Sequence, residues 1–443
     1  MVKSKILFFI FVLVAVAAIL FAWDQGKLDF LETKTTANTP IYVTFFSHNE
    51  EGDQWLAMID DEKAYKDYRS NLISEIKLIK NYGATLNWET DWSVLMAMQK
   101  YEKGELLKST NNKNILKWMT EDMGVVVDPH GHLTKYNLAD VAYLIRQFGV
   151  EPSTVVGGFA IYKCSEGDPS KSFEQMAVYS QLEMDKNGLI TGRVYKNSQW
   201  TAKILGQPAM QGHGYDEFSS GVWRPDMDGT FTDNDSSGKF IVVGQGYPHN
   251  YDLIHFGKDR SSHKNSDGTT IWYKNAGYIT ELNSMLRSKK LPDGKIYTAS
   301  ISVRDSKLET DLKDLENTLK TLKPLQESGE IIYMDYENVA KTWKEKYAEV
   351  ANRVDISKFS IYNDLMSEVK TMCLTKSPGG SGSPTEGKCG DGKCEGPETG
   401  KNCPTDCQET TTQSNPPMTK GSCGDGTCDS LEQRVGLCPQ DCK

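Results

Sequence analysis

The stretch Val125-Val126-Val127-Asp128-Pro129-His130-Gly131-His132 carries one carboxylate and two imidazoles directly behind a β-branched run. In an extended backbone, residues at i, i+2 and i+4 share one face, so Asp128, His130 and His132 would point together. Pro129 cannot donate to a sheet ladder and Gly131 has no side chain, which puts the cluster at the frayed end of a strand. Parallel α/β folds keep their sites at strand ends, and the chemistry this set offers is metal ligation. The other reading is a polar turn after a buried strand. A second strand signal, Ile41-Tyr42-Val43-Thr44-Phe45-Phe46, runs into Ser47-His48-Asn49-Glu50, where His48 and Glu50 share a face. In a third, Ala84 to Trp92, the polar residues Asn87, Glu89 and Asp91 alternate with Leu86, Trp88 and Thr90. That polar face either meets solvent at an edge or, with Trp88 and Trp92 beside it, lines a polar cavity.

A divalent ion such as Zn²⁺ commonly takes imidazoles and a carboxylate while keeping a position for water. His48, Asp128, His130 and His132 are the candidate ligands. Glu50, Asp91, Glu89 and Asp128 are the carboxylates available to move the proton in a hydrolysis. Further along come Gln207, His213, Tyr215, Asp216, Glu217, Trp223 and Arg224. Aromatic rings beside an arginine in a Gly-rich loop suit sugar stacking and hydroxyl binding, and equally suit a loop pinned to its scaffold. Trp88, His213, Tyr215 and Trp223 are therefore candidate substrate contacts, with Arg224 as a candidate catalytic group. His249, His255 and His263 read as surface residues.

Helix signals separate the strands. Leu72, Ile73, Ile76 and Ile79 repeat at helical spacing and stop at Gly83, and Leu138, Val141, Ala142, Leu144 and Ile145 do the same before Gly149. Helices are also expected near Ile271 to Leu286, Lys307 to Leu322 and Val339 to Tyr347. Strands are expected at Thr154 to Phe159, Ile204 to Pro208, Phe240 to Gly244, Ile296 to Val303 and Ile331 to Met334. Strand-helix alternation implies a parallel sheet. Seven or eight strands over residues 41–350 fit a parallel β/α barrel better than an open sheet.

The chain has 443 residues, 38% of them hydrophobic, and a formal charge of −10, which together indicate a large globular core and no basic surface for a nucleic acid. Ile6 to Trp23 is uncharged and would rise roughly 27 Å as a helix, near the bilayer core. Lysines precede it and Asp24 follows it, so residues 1–23 read as an export signal. Bulky residues crowd the likely cleavage position, which favours a retained membrane anchor over a removed signal peptide. Residues 24–40 are then a linker, and the expected location is extracellular or at the cell surface.

Eight of the ten cysteines fall in the last 55 residues, in two copies of one pattern. Cys389, Cys394, Cys403 and Cys407 form one four-cysteine module (389–407), and Cys423, Cys428, Cys438 and Cys442 the other (423–442). Small exported modules of this density usually hold disulfides, and each copy allows three pairings. Asp391, Glu398 and Asp406, with Asp425, Glu432 and Asp441, could bind Ca²⁺ around their glycine turns; the alternative is solvated acids on a disulfide-held module. Residues 374–388 and 408–422 are linkers, and 351–373 is expected to be a helical extension.

The rhythm of residues 40–350, the tip Asp128-Pro-His-Gly-His132, Trp223-Arg224-Pro225 and the closing Leu325-Gln-Glu-Ser-Gly-Glu-Ile-Ile-Tyr-Met334 resemble the polysaccharide deacetylase and glycoside hydrolase barrel superfamily. The resemblance implies a metal-dependent hydrolase acting on carbohydrate, with histidines such as His130 and His132 on the metal and an arginine such as Arg224 orienting a carboxylate. The family's early Asp pair is replaced by Ser47-His48-Asn49-Glu50, and its late histidine motif has no counterpart. A metal-independent glycosidase using two carboxylates, and a non-catalytic glycan-binding surface protein, are the rival expectations.

Overall fold

The structure, a computed structural model, describes residues 39–49, 53–131, 135–164, 173–210, 219–246, 262–264, 270–272, 277–303 and 308–355. The expected anchor, residues 24–38 of the linker after it, both cysteine modules with their acids, and the linkers at 374–388 and 408–422 lie outside the described residues. Among the described residues no helix is long and apolar enough to cross a membrane.

Strand β1, Ile41–Asn49, is rich in β-branched and aromatic residues and is buried along almost its whole length, as a central parallel strand is. It pairs in parallel with β2, Leu86–Thr90, and β2 pairs in parallel with β3, Val126–Pro129. On the other side, the late strands β8 (Tyr297–Ser302) and β9 (Ile331–Tyr333) also run parallel to β1. A second sheet is mixed. Its β4 (Val155–Gly157), β5 (Ile204–Gly206) and β7 (Ile241–Val243) are parallel neighbours, while β6 (Ser219–Trp223) and β10 (Asn352–Asp355) add antiparallel.

Among the described residues the main ladders therefore form two five-stranded sheets, beside smaller two- and three-stranded ones, where the strand-helix rhythm predicts one closed ladder. Hydrogen bonds outside the ladders also link the sheets, among them Ser153 N to Val127 O at 2.9 Å and Ser300 N to Gln245 O at 2.8 Å. The first residues of the expected helical extension are instead β10. Their strand form is set by the ladder Ser219↔Asp355 to Val222↔Asn352, a partner more than a hundred residues away that local periodicity does not reveal. Likewise Thr270–Trp272 pairs with Ser262–Lys264 as a hairpin, and the helix expected there begins only at Gly277.

The crossover after β1 contains α1 (Asp53–Asp60) and α2 (Glu62–Asn81), the second capped by Asp61, whose carboxylate accepts from Lys63 N and Ala64 N. Leu72, Ile73, Ile76 and Ile79 of α2 are buried in the same core as Ile41, Val43 and Phe45 of β1. Each such side chain contributes roughly 1.5–3 kcal/mol. Helix α3 (Trp92–Tyr101) follows β2, and α4 (Leu138–Gln147) follows β3 with a capping box from Asn137 and Asp140. The opposite face of β1 presents Tyr42 and Phe46, which pack with Val155, Ile204, Ile241 and Val243 of the second sheet and with Tyr336, Val339 and Trp343 of α7 (Tyr336–Lys346). Helices α5 (Gly277–Arg287) and α6 (Leu308–Glu327) precede β8 and β9. His48 alternates onto the face of Tyr42 and Phe46. The chain thus aims that histidine at the space between the sheets.

Candidate functional site

Strand register assembles the site. His48 of β1 lies opposite Glu89 of β2, and Glu89 lies opposite Asp128 of β3, so three adjacent parallel strands carry a row of ionisable residues on one face. His130 follows Asp128 by two residues and keeps that face. The polar face of β2 meets no solvent, because Asn87 and Glu89 are fully buried.

His48, Glu89 and His130 come together with one ligand-type atom from each within 4.8 Å of the others. Glu89 Oε2 is 2.7 Å from His48 Nε2 and 3.8 Å from His130 Nδ1. It is also a fully buried carboxylate oxygen that accepts no hydrogen bond of good geometry among the described residues. The His48 contact is thus one of proximity without hydrogen-bond alignment. A buried, under-satisfied oxygen between two imidazoles is what a cation would satisfy, so these three residues fit a divalent metal. The imidazoles stack, with centroids 4.4 Å apart and planes 19° apart. His130 Nδ1 lies 3.0 Å from the Gly157 carbonyl; an N–H donated there fixes the tautomer and leaves Nε2 with its lone pair.

Two glycines make the room. A Cβ on Gly157 would lie 2.3 Å from both Glu89 carboxylate oxygens, and one on Gly158 would lie 2.5 Å from His48 Cε1 and 3.0 Å from His130 Cε1. Gly158 also has φ +64°, a conformation that glycine adopts freely. Gln207 completes the inner wall. Its Nε2 donates to Glu89 Oε1 at 2.7 Å and to the Tyr336 hydroxyl at 2.6 Å, while its Oε1 lies 2.6 Å from His48 Nε2. It holds φ +51°, a left-handed conformation that costs a non-glycine residue on the order of 1 kcal/mol.

Asp128 stands beside this cluster, and Glu89 supplies the carboxylate where the strand-tip pattern favours Asp128. Asn87 Nδ2 donates to Asp128 Oδ2 at 2.7 Å, and the Ser153 hydroxyl donates to Oδ1. Complete burial pushes the Asp128 carboxyl well above the ordinary carboxylate range, and the neighbouring Glu89 charge pushes it further. Asp91 leaves the strand to cap α3, its Oδ1 accepting from Ser93 N at 2.9 Å and Ser93 Oγ at 2.6 Å. Its Cβ lies 3.5 Å from where a Cβ on Gly131 would stand, so it borders the tip that carries His130.

Trp88 and Trp223, the candidate stacking platforms, are fully buried within hydrophobic clusters and offer no ring face to solvent. Arg224 bonds Gly238 O at 2.9 Å and Glu349 Oε2 at 2.5 Å and lies over the Trp343 ring. It does pair with a carboxylate, but one belonging to the α7 end of the fold. Glu50, His132, His213 and Tyr215 lie outside the described residues. Gly157, Gly158 and Gln207 were not singled out as metal-site residues by the sequence; the Gly-Gly pair ending the Thr154 strand was the visible signal for the first two.

No protein-family profile matches this chain, and no curated protein matches it. Among solved structures, a probable polysaccharide deacetylase from Pseudomonas aeruginosa is similar over 71% of this chain and 94% of its own, at 12% identity and a TM-score of 0.40. A GH57-type branching enzyme from Pyrococcus horikoshii is similar over 68% of this chain and 70% of its own, at 10% identity and a TM-score of 0.39. A 4-alpha-glucanotransferase from Thermococcus litoralis is similar over 68% of this chain at 10% identity and a TM-score of 0.36, and this chain spans 40% of its length.

Proposed function

We propose that this protein is an exported, metal-dependent hydrolase acting on carbohydrate, with a zinc-type divalent ion held by His48, Glu89 and His130. The observation that carries the proposal is the buried Glu89 Oε2, short of a hydrogen bond and set between two imidazoles at the ends of adjacent parallel strands. Carbohydrate as the substrate rests on the sequence resemblance through the strand tips, and export rests on the N-terminal apolar run and the cysteine pattern. In this reading the two sheets are halves of one distorted barrel whose mouth lies at these strand ends.

A divalent ion bound here supplies Lewis acidity and a water of lowered pKa. The chain's own groups do the rest. Gln207 anchors Glu89 through Oε1 so that Oε2 stays turned to the histidines. The Gly157 carbonyl orients the His130 ring. The proton acceptor is drawn from Glu50 and Asp91, which follow His48 and Glu89 by two residues.

The metal-independent alternative has one observation in its favour: Asp128, its carboxyl pushed upward by burial and by the neighbouring Glu89, resembles one half of an acid/base pair. Both Asp128 oxygens are engaged and the group is wholly buried, however, so it presents nothing to a substrate. The deciding experiment compares wild type with His48→Ala and His130→Ala for bound Zn²⁺, Co²⁺ or Ni²⁺ and for acetate release from acetylated glycans. Metal in wild type, lost with activity in both variants, is expected. A wild type that takes up none of these ions sinks the reading. Reducing-sugar release surviving in both variants would favour the two-carboxylate mechanism.

A further inference from the structure

Beyond anchoring Glu89, Gln207 brings a second polar atom to the site, because its side chain touches two of the three candidate ligands. Both hydrogens of its Nε2 are committed, one to Glu89 Oε1 and one to the Tyr336 hydroxyl. Turning the amide over would set its oxygen 2.7 Å from the Glu89 carboxylate, acceptor against acceptor, so the orientation is fixed. Oε1 must then face His48 Nε2, the same atom that lies 2.7 Å from Glu89 Oε2. The tyrosine behind it is locked in turn: Tyr336 donates to Ser300 Oγ at 3.1 Å, and Ser300 shares a hydrogen bond with Thr44 Oγ1 at 2.7 Å. Every member of this column is buried.

Without a cation, Oε1 is satisfied by an N–H on His48 Nε2. When His48 Nε2 gives its lone pair to a cation that N–H is gone, and a buried amide oxygen is left facing the same space with no donor. We propose that Gln207 is the fourth protein donor of the cation site, a neutral oxygen ligand whose orientation is fixed by Glu89 and Tyr336. This rests on the metal reading above. A neutral oxygen lets the site hold a dication with one anionic ligand.

The test is Co²⁺ titration of the full chain, read by the visible absorption of the bound ion and by the dissociation constant, for wild type, Gln207→Leu and Gln207→Glu. Thermal unfolding in EDTA checks that each variant is folded. Gln207→Leu is expected to shift the Co²⁺ spectrum and to weaken binding by about 10- to 100-fold or more, the loss of even an outer partner of a metal ligand costing that much. Gln207→Glu keeps an oxygen in place and is expected to bind at least as tightly as wild type. A mere positioning role predicts the reverse for Gln207→Glu, since it would set two carboxylates against each other and lose the donor to Glu89. The proposal is overturned if Gln207→Leu leaves spectrum and affinity unchanged, or if Gln207→Glu binds as weakly as Gln207→Leu. If Gln207→Leu does not fold, the Gln207→Glu result decides alone. No Co²⁺ binding by wild type would overturn the metal reading itself, a different result from either of these.

Discussion

Burial drives the Asp128 carboxyl toward its neutral form, and this ties stability to pH. Its folded-state carboxyl titrates well above the ordinary 3.8, through burial first and the Glu89 charge second. Between those two values the folded protein holds a proton that the unfolded chain has released, so the folded state binds more protons and stability falls as pH rises through the window. Melting temperature measured from about pH 4 upward should therefore decline less steeply in Asp128→Asn than in wild type. Parallel curves for the two proteins would remove Asp128 as the cause. Gly157 makes a steric prediction. Its backbone is open to any residue, but an alanine Cβ would lie 2.3 Å from the Glu89 carboxylate. Gly157→Ala should cost about 1–3 kcal/mol in denaturant unfolding, as overpacking does, and should weaken cation binding because Glu89 has to move. A variant with wild-type stability and affinity would show that the glycine is not there for clearance.

Asp91 belongs to the scale of elements, because what it visibly does is start a helix. Asp91→Ala should lose about 1 kcal/mol of stability, and Asp91→Asn, which can still cap, should recover most of it. Equal losses in urea unfolding of the two variants would mean that the carboxylate charge matters more than the cap. The strands and helices themselves were largely visible in the chain. Strand β1 was legible through Phe46 from its β-branched and aromatic residues, and it continues to Asn49 because β2 pairs with Phe45 through Asn49. That extension is what carries His48 into the row. Helix α2 is longer than its apolar repeat suggested, since Asp61 caps it eleven residues before Leu72. Residues 352–355 read as helical from the sequence but form a strand, because that form comes from pairing with β6 and not from their own pattern.

At the scale of the whole molecule, two sheets enclose the polar interior, and a threonine couples them. Thr298 of β8 accepts from Gly221 N of β6 at 2.8 Å, while Ser220 Oγ donates to Thr298 O at 2.9 Å. Thr298→Val keeps the shape but leaves a buried N–H unpaired, which should cost about 1–3 kcal/mol in equilibrium unfolding. No loss would mean that this junction between the sheets does not depend on the hydroxyl. The amino-acid sequence by itself determined the alternation of strands and helices, a globular and acidic chain, and the strand tips at His48 and His130, because each of these is written in local composition and period. Only the tertiary structure decided that Glu89, not Asp128, supplies the carboxylate between the histidines, that Gly157 and Gly158 clear the space, and that Gln207 closes it. Lateral register between parallel strands is set by crossovers and by hydrogen bonds to distant partners. A pattern of neighbours along the chain therefore names the residues on a face, but cannot say which of them meet across it.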